Sequence, residues 1–277
     1  MIVLNKLTFS YNSADLLSNI DLKLSGGHIH GLLGKNGEGK STLLKLIAGL
    51  AFPKEGEISV MGHSPQQRLP AMLEEIYFLP EDLPEIKLSI ENLEKVYAPF
   101  YPNFSSEQFN EYLKQFEISS KISMLNKLSH GQKKKVMIAF SLAANTKLLL
   151  MDEPTNGLDI PSKGQFRRMV ASAFNEDRCL IISTHQVRDL ETLIDSITIM
   201  DGHEIVINET IDKITEKLIF RIDNDNLNDD SVIYSEDSLR GTYQVGENIS
   251  GEESKLDIEL LFNAIFADKQ RIKNLFS

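Results

Sequence analysis

Apolar and polar positions alternate through residues 1–30, with Asn12-Ser13-Ala14-Asp15 in the middle, a pattern that predicts short strands joined by a turn. An apolar run at 29–33 gives way to a segment with helical spacing at 42–49. Gly49 and Pro53 mark its end, and 56–60 returns as a strand. From 88 to 145 the period changes: segments 91–96, 106–116 and 132–144 place apolar side chains at helical intervals. Pro99, Pro102 and turns rich in serine and lysine separate them, which predicts a helical insertion. Residues 147–152 and 179–184 read as buried strands, the first ending in acid and the second just before His185. With a crossover helix expected at 162–174, the core is predicted to be a largely parallel sheet whose functional residues lie beyond the strand ends. The pattern breaks at 210–230, where Asp223-Asn224-Asp225-Asn226-Leu227-Asn228-Asp229-Asp230 is acidic and turn-rich, and resumes in an amphipathic helix at 254–267. The tail reads as a small accessory subdomain, or alternatively as a flexible acidic linker before that helix.

Composition narrows the partners. A chain of 277 residues that is 42% hydrophobic can bury one large α/β core with a small appendage, or two modest domains. The formal charge of -11 disfavours a general polyanion binder, so no specific nucleic-acid partner is expected. The only cysteine, Cys179, lies in an apolar strand and reads as a buried thiol; a disulfide within one chain is excluded. The first residues lack an export-signal pattern, which points to the cytosol. The longest strongly apolar stretch, 136–144, is interrupted by Ser141 and falls far short of the roughly 18 to 20 residues that span a bilayer. Any membrane role is expected to come through a partner.

Gly34-Lys35-Asn36-Gly37-Glu38-Gly39-Lys40-Ser41 matches G-x-x-x-x-G-K-[ST] between a predicted strand and a predicted helix. Gly34, Gly37 and Gly39 let successive backbone N–H groups turn inward, and the helix adds its positive end, so the segment is expected to cradle phosphates. Lys40 can reach the β and γ phosphates of a nucleoside triphosphate, and the Ser41 hydroxyl can ligate magnesium. Asp152 and Glu153 follow the apolar strand. Alone they could be a solvated strand end; beside a phosphate loop they divide two tasks, with Asp152 holding the metal through water and Glu153 orienting the attacking water.

The full set of segments resembles the ATP-binding subunit of the ATP-binding cassette (ABC) transporter family. Leu128-Ser129-His130-Gly131-Gln132 looks like the family signature. Leu148-Leu149-Leu150-Met151-Asp152-Glu153-Pro154, Thr155-Asn156-Gly157-Leu158-Asp159 and Ser183-Thr184-His185 follow in the family's order. The resemblance runs from about residue 2 to 207. It implies an α/β P-loop NTPase cassette with a largely parallel core sheet, an N-terminal antiparallel β region and a helical subdomain at about 88–145. The nucleotide-binding domain would be 1–210 and the accessory segment 211–277. It also implies ATP and Mg2+ as ligands, with Tyr11 stacking on adenine and Asn36 and Thr42 among the nucleotide contacts. His185 would monitor the γ phosphate, and Ser41, Asp152 and Glu81 would serve the metal. Ser129, Gly131 and Gln132 would close over the ATP of a second cassette, with Asp159 coupling the paired sites. As isolated residues, Tyr11 also fits a core or surface tyrosine, and Asp159 a turn or helix cap. His130 stands where the pattern usually has glycine, and Glu81 where many members have glutamine, whose amide donor it cannot supply.

The implied role is magnesium-dependent ATP hydrolysis driving transport; import and export both fit, with export favoured. Separately encoded membrane-spanning subunits would hold the chain on the cytoplasmic face of the membrane. The alternatives are a soluble cassette ATPase of DNA repair, chromosome organisation or translation, and a non-catalytic scaffold or regulatory cassette.

Overall fold

The computed structural model describes residues 1–12, 14–119, 124–223, 231–239 and 241–276. Ser13 of the expected N-terminal turn, and the acidic run beyond Asp223, lie outside the described residues.

Strands β1 (Ile2–Phe9) and β2 (Leu17–Leu24) pair antiparallel and bury their alternate apolar side chains. Strand β3 (His28–Gly34) runs through the phosphate loop into α1 (Lys40–Ile47), and β4 (Glu55–Val60) returns beside β1, completing a sheet of order β2-β1-β4. Helix α2 (Pro70–Leu73) and β5 (Ile76–Leu79) lead into the helical insertion, α3 (Ile90–Tyr97), α4 (Ser106–Gln115) and α5 (His130–Ala143). Then come β6 (Leu148–Asp152), α6 (Ile160–Ala173), β7 (Cys179–Thr184), β8 (Ser196–Asp201) and β9 (Glu204–Thr210). The main sheet has the order β5-β6-β7-β3-β8-β9 and is parallel except for the β8–β9 pair. The protein is thus a mixed α/β fold with a largely parallel central sheet.

Every residue of β6 and β7 is buried, as expected of central parallel strands covered on both faces. Burial in β7 pushes the Cys179 thiol up to about 12, so it is held protonated and inert. Strand order sends the C-terminal ends of β3, β6 and β7 to one edge, where the glycine loop, the acidic pair and His185 follow.

The tail departs from the expectation of a turn-rich stretch followed by one helix. Helix α7 (Ile211–Lys217) leads into β10 (Leu218–Asp223), β11 (Val232–Ser238) and β12 (Gly241–Glu247), an antiparallel sheet of order β10-β12-β11, then α8 (Ile258–Ala267) and α9 (Lys269–Phe276). The helix expected from 254 begins at Ile258, because Asp257 caps it through the Leu260 amide while the Ser254 hydroxyl accepts from the Phe220 amide. The helix after the phosphate loop begins at Lys40, where its positive end is expected, ahead of the helical spacing read from 42. Leu256, Leu261, Ala264 and Ile272 of the tail share a core with Ile197 and Ile199 of the main sheet.

Within the insertion, α5 packs through Phe140 in its last turn. Its ring lies 4.8 Å from Phe104, 5.6 Å from Phe109 and 5.9 Å from Tyr77 of β5. This cluster fastens the helices to the strand that leads to Glu81. Phe140 is fully buried, so Phe140→Ala should cost about 3–5 kcal/mol through lost transfer energy and the cavity left behind. Urea unfolding measures this, and a loss below about 1 kcal/mol would show that the cluster does not anchor the insertion.

Candidate functional site

The phosphate loop wraps a cleft of about 370 Å³ lined by Leu16, Asn36, Gly37, Gly39, Lys40, Ser41, Thr42, Glu81 and Glu153. Gly37 has φ 90° and Gly39 φ 99°, a left-handed region in which a side chain is strained. A Cβ on Gly39 would also stand 2.7 Å from a Leu17 methyl, so this position needs glycine for space as well as for torsion. The first turn of α1 then faces the cleft with unpaired amides, the setting in which a helix N-terminus takes an anion.

Lys40 is only 6% exposed, and its ammonium donates to the carbonyls of Gly34 at 2.8 Å and Lys35 at 3.0 Å. Desolvation pushes its pKa below the usual lysine value, opposed by the nearby charges of Glu153 and Asp152. Tyr11, 61% exposed, stands at the rim with its hydroxyl 3.4 Å from Thr42 Oγ1 and its ring edge-on to Phe9 at 4.8 Å.

Asp152 and Glu153 are each 4% exposed at the end of β6. Ser183 of the neighbouring strand donates its hydroxyl to Asp152 at 2.6 Å. Glu153 takes a left-handed backbone, φ 44°, with its amide bonded to the Ser183 carbonyl at 3.1 Å. That torsion turns its carboxylate back onto the end of β7. There it accepts the Thr184 hydroxyl at 3.1 Å, the His185 amide at 3.0 Å and His185 Nδ1 at 2.7 Å. A carboxylate only accepts, so Nδ1 carries the proton. In the neutral ring Nε2 is then an acceptor, and His185 can donate to a phosphate oxygen only after the ring turns or takes a second proton.

Glu81 reaches the same cleft from beyond β5. Asn156 donates to its carboxylate at 2.8 Å, and Gln186 donates in turn to the Asn156 carbonyl oxygen at 3.3 Å. A polar string therefore connects the Glu81 loop, the Thr155–Asp159 turn and the residue after His185. The fully buried Lys134 of α5 donates to the Glu81 carbonyl at 2.9 Å, with its pKa lowered by desolvation against the pull of Glu81 and Asp152. Neither Lys134 nor Gln186 is signalled by motif. For Lys134 the signal is its spacing: it precedes the buried Ile138 by four residues on one face of α5.

The signature residues lie apart from this cleft and do not line it. Ser129 caps α5 by accepting the Gln132 amide at 3.2 Å, and the Gln132 side chain accepts the Ser129 amide at 3.0 Å, a complete capping box. The cap uses a lone pair of Ser129 and leaves its hydroxyl proton to donate outward. His130 occupies the first helical position with an ordinary negative φ, so the backbone does not require glycine there; its ring lies against Gly157, and Gly131 packs against the Gly157 carbonyl. Asp159 caps α6 through the Ser162 amide at 2.8 Å, and hydrogen bonding from the Ser162 side chain, with that amide second, holds its carboxyl below the usual range. Among the described residues no helix is long and apolar enough to cross a membrane.

A family profile described as ABC transporter matches residues 17–156. The chain is 29% identical over 221 residues to the ABC transporter ATP-binding protein YtrB of Bacillus subtilis (strain 168), covering 79% of this chain and 75% of that protein. It is 30% identical over 218 residues to the uncharacterized ABC transporter ATP-binding protein YdbJ of the same organism, covering 76% and 70%. Further relatives are named for ribose import, zinc import and lantibiotic transport. A solved dimeric ATP-binding cassette, in a post-hydrolysis state with ADP and Pi, matches with a TM-score of 0.67 and 25% identity over 76% of this chain and 98% of that one. The chain belongs to the ABC transporter family and is an ATP-binding, ATP-hydrolysing subunit of that family.

Proposed function

We propose that the chain hydrolyses ATP at two composite sites formed by paired cassettes and thereby drives export through separately encoded membrane-spanning subunits. One observation carries the pairing: Lys40, Ser41 and Glu153 converge on one cleft, while the exposed Ser129 and Gln132 belong to a helix start that does not line it. Each half-site lacks what the other copy presents, and the spare hydroxyl proton of Ser129 suits a γ phosphate held by a second cassette.

In this reading Tyr11 stacks on adenine, the amides of 36–42 hold the phosphates, and the Lys40 ammonium turns from its carbonyl partners toward the β and γ oxygens. A magnesium ion arriving with ATP would be held by the Ser41 hydroxyl, with Asp152 and Glu81 accepting from its waters, and would supply countercharge; these hard oxygen donors fit its preference. Glu153 has the capacity for about four acceptor bonds and spends three, so one lone pair remains for a water. As that water's oxygen bonds to the γ phosphorus, its proton passes to Glu153 and the bridging oxygen leaves with ADP. Loss of the γ-phosphate contacts then favours opening.

Residues 1–210 act here as the nucleotide-binding unit and 88–145 as its partner-facing helical part, with 211–277 as an accessory segment. The Lys134–Glu81 bond links α5 to the cleft and carries closure to the membrane-spanning partner. The chain would therefore sit peripherally on the cytoplasmic face. Outward transport is favoured by the general likeness to standalone exporter ATPases and the divergent tail. Inward transport is the second reading, supported by the relatives named for ribose and zinc import.

Lys40→Ala should weaken ATP binding about tenfold or more by removing a charge-assisted contact; calorimetry showing unchanged affinity would remove Lys40 from the site. Glu153→Gln should keep ATP affinity and prolong the ATP-bound dimer while slowing hydrolysis by about 10²–10⁴, and single-turnover rates equal to wild type would exclude Glu153 as the water-positioning group. Purification from native membranes in gentle detergent should recover multi-span proteins with two cassettes. Recovery with soluble repair or translation factors alone would reject transport, and co-recovery of an outer-face solute receptor would reverse the direction.

A further inference from the structure

The C-terminal helices touch the phosphate loop by two separate routes. In the first, the Lys35 ammonium sits 3.6 Å from the centroid of the Phe266 ring on α8, within cation–π distance. Lys35 is also one of the two residues whose carbonyls hold the Lys40 ammonium, so the ring steadies the residue that positions the phosphate-binding lysine. In the second, Lys269 on α9 bonds the Asp201 carboxylate at 3.0 Å and Glu204 at 2.8 Å, and Lys273 bonds Glu204 at 2.7 Å. These pairs grip the β8–β9 turn, whose His203 amide donates to Glu38 of the loop at 3.0 Å. The same helix α8 also holds the segment after His185, since Arg188 Nε donates to Glu259 at 2.8 Å.

We propose that Phe266 is a positioning residue for ATP binding: its ring face anchors Lys35 and so presets the entry limb of the phosphate loop. The proposal rests on ATP occupying this cleft. The ring is 42% exposed and opposite an exposed lysine, so its effect is modest and specific to π character rather than to apolar bulk. When the anchor is lost, the loop must be ordered by the nucleotide itself, a cost borne equally by bound substrate and transition state. KM therefore rises while kcat per folded subunit holds.

Phe266→Leu, which keeps the apolar contact and removes the ring, should raise the ATP dissociation constant and KM about two- to fivefold with kcat unchanged. Phe266→Tyr should restore wild-type affinity, and Phe266→Leu should add nothing in a Lys35→Met background. A merely structural residue would instead lower the melting temperature and the active fraction while leaving KM alone. Equal ATP affinity in Phe266→Leu and wild type, or equal weakening by Leu and Tyr, overturns the proposal. Lys40→Ala measured in parallel separates the levels. If Lys40→Ala loses ATP while Phe266→Leu does not, the Phe266 role alone fails. If Lys40→Ala also binds normally, the cleft itself is misassigned and the proposal falls with it.

Discussion

A buried ammonium must be solvated by the protein or by a ligand, and the cleft around Lys40 is built on that constraint. Lys40 is nearly sealed from water, and two of its three donors go to backbone carbonyls at the end of β3. Carbonyls are dipoles and return only part of the lost hydration. The nearest carboxylates offset the charge through space but give it no hydrogen bond, Asp152 being bonded to Ser183 and Glu153 to Thr184 and His185. The charge is therefore held ready for an anion, and an extended phosphate chain lying along the amides of α1 meets that need without large rearrangement.

The same economy explains Glu153. A left-handed torsion on a non-glycine residue is strained by about 1–3 kcal/mol, and the surrounding bonds must hold it. They come from Ser183, Thr184 and His185, three consecutive residues at the end of β7, so the acid and the histidine form one unit rather than two adjacent motifs. Parallel pairing of β6 with β7 sets the register that makes this unit: Asp152 lies opposite Ser183, which leaves Glu153 beside Thr184 and His185.

What was legible in the sequence follows from where structure is local. The phosphate loop, the acid-ended strand β6 and the strand before His185 are contiguous runs whose burial or torsion is imposed residue by residue, and they were readable with their chemistry. The tail sheet was not. Val232-Ile233-Tyr234-Ser235-Glu236-Asp237-Ser238 and Gly241-Thr242-Tyr243-Gln244-Val245-Gly246-Glu247 are only partly buried, and their register shifts between Val232 and Tyr234, so neither shows clean alternation. Their strand character comes from pairing with each other and with β10, and pairing is non-local. Lys134 was hidden for a related reason: in Lys133-Lys134-Lys135 it looks like a solvated charge run, and only the face of α5 packed on the Glu81 loop separates it from its neighbours.

Asp159 and His130 show where a motif reading and a physical reading meet. Each does a local job, capping α6 or lying over Gly157, and each job is complete within one chain. The Gly131–Gly157 contact then joins the start of α5 to the turn between β6 and α6, so the surface that would face a second cassette is one packed corner rather than two loops. Rigidity there matters because a contact between copies can report nucleotide state only if neither surface yields first. Lys134 extends that corner to Glu81, and the string through Asn156 and Gln186 extends it to the residue beside His185. One chain of short polar contacts thus connects the corner that would face a partner's ATP to the acid and histidine of its own site, which is the physical requirement for two sites to sense each other.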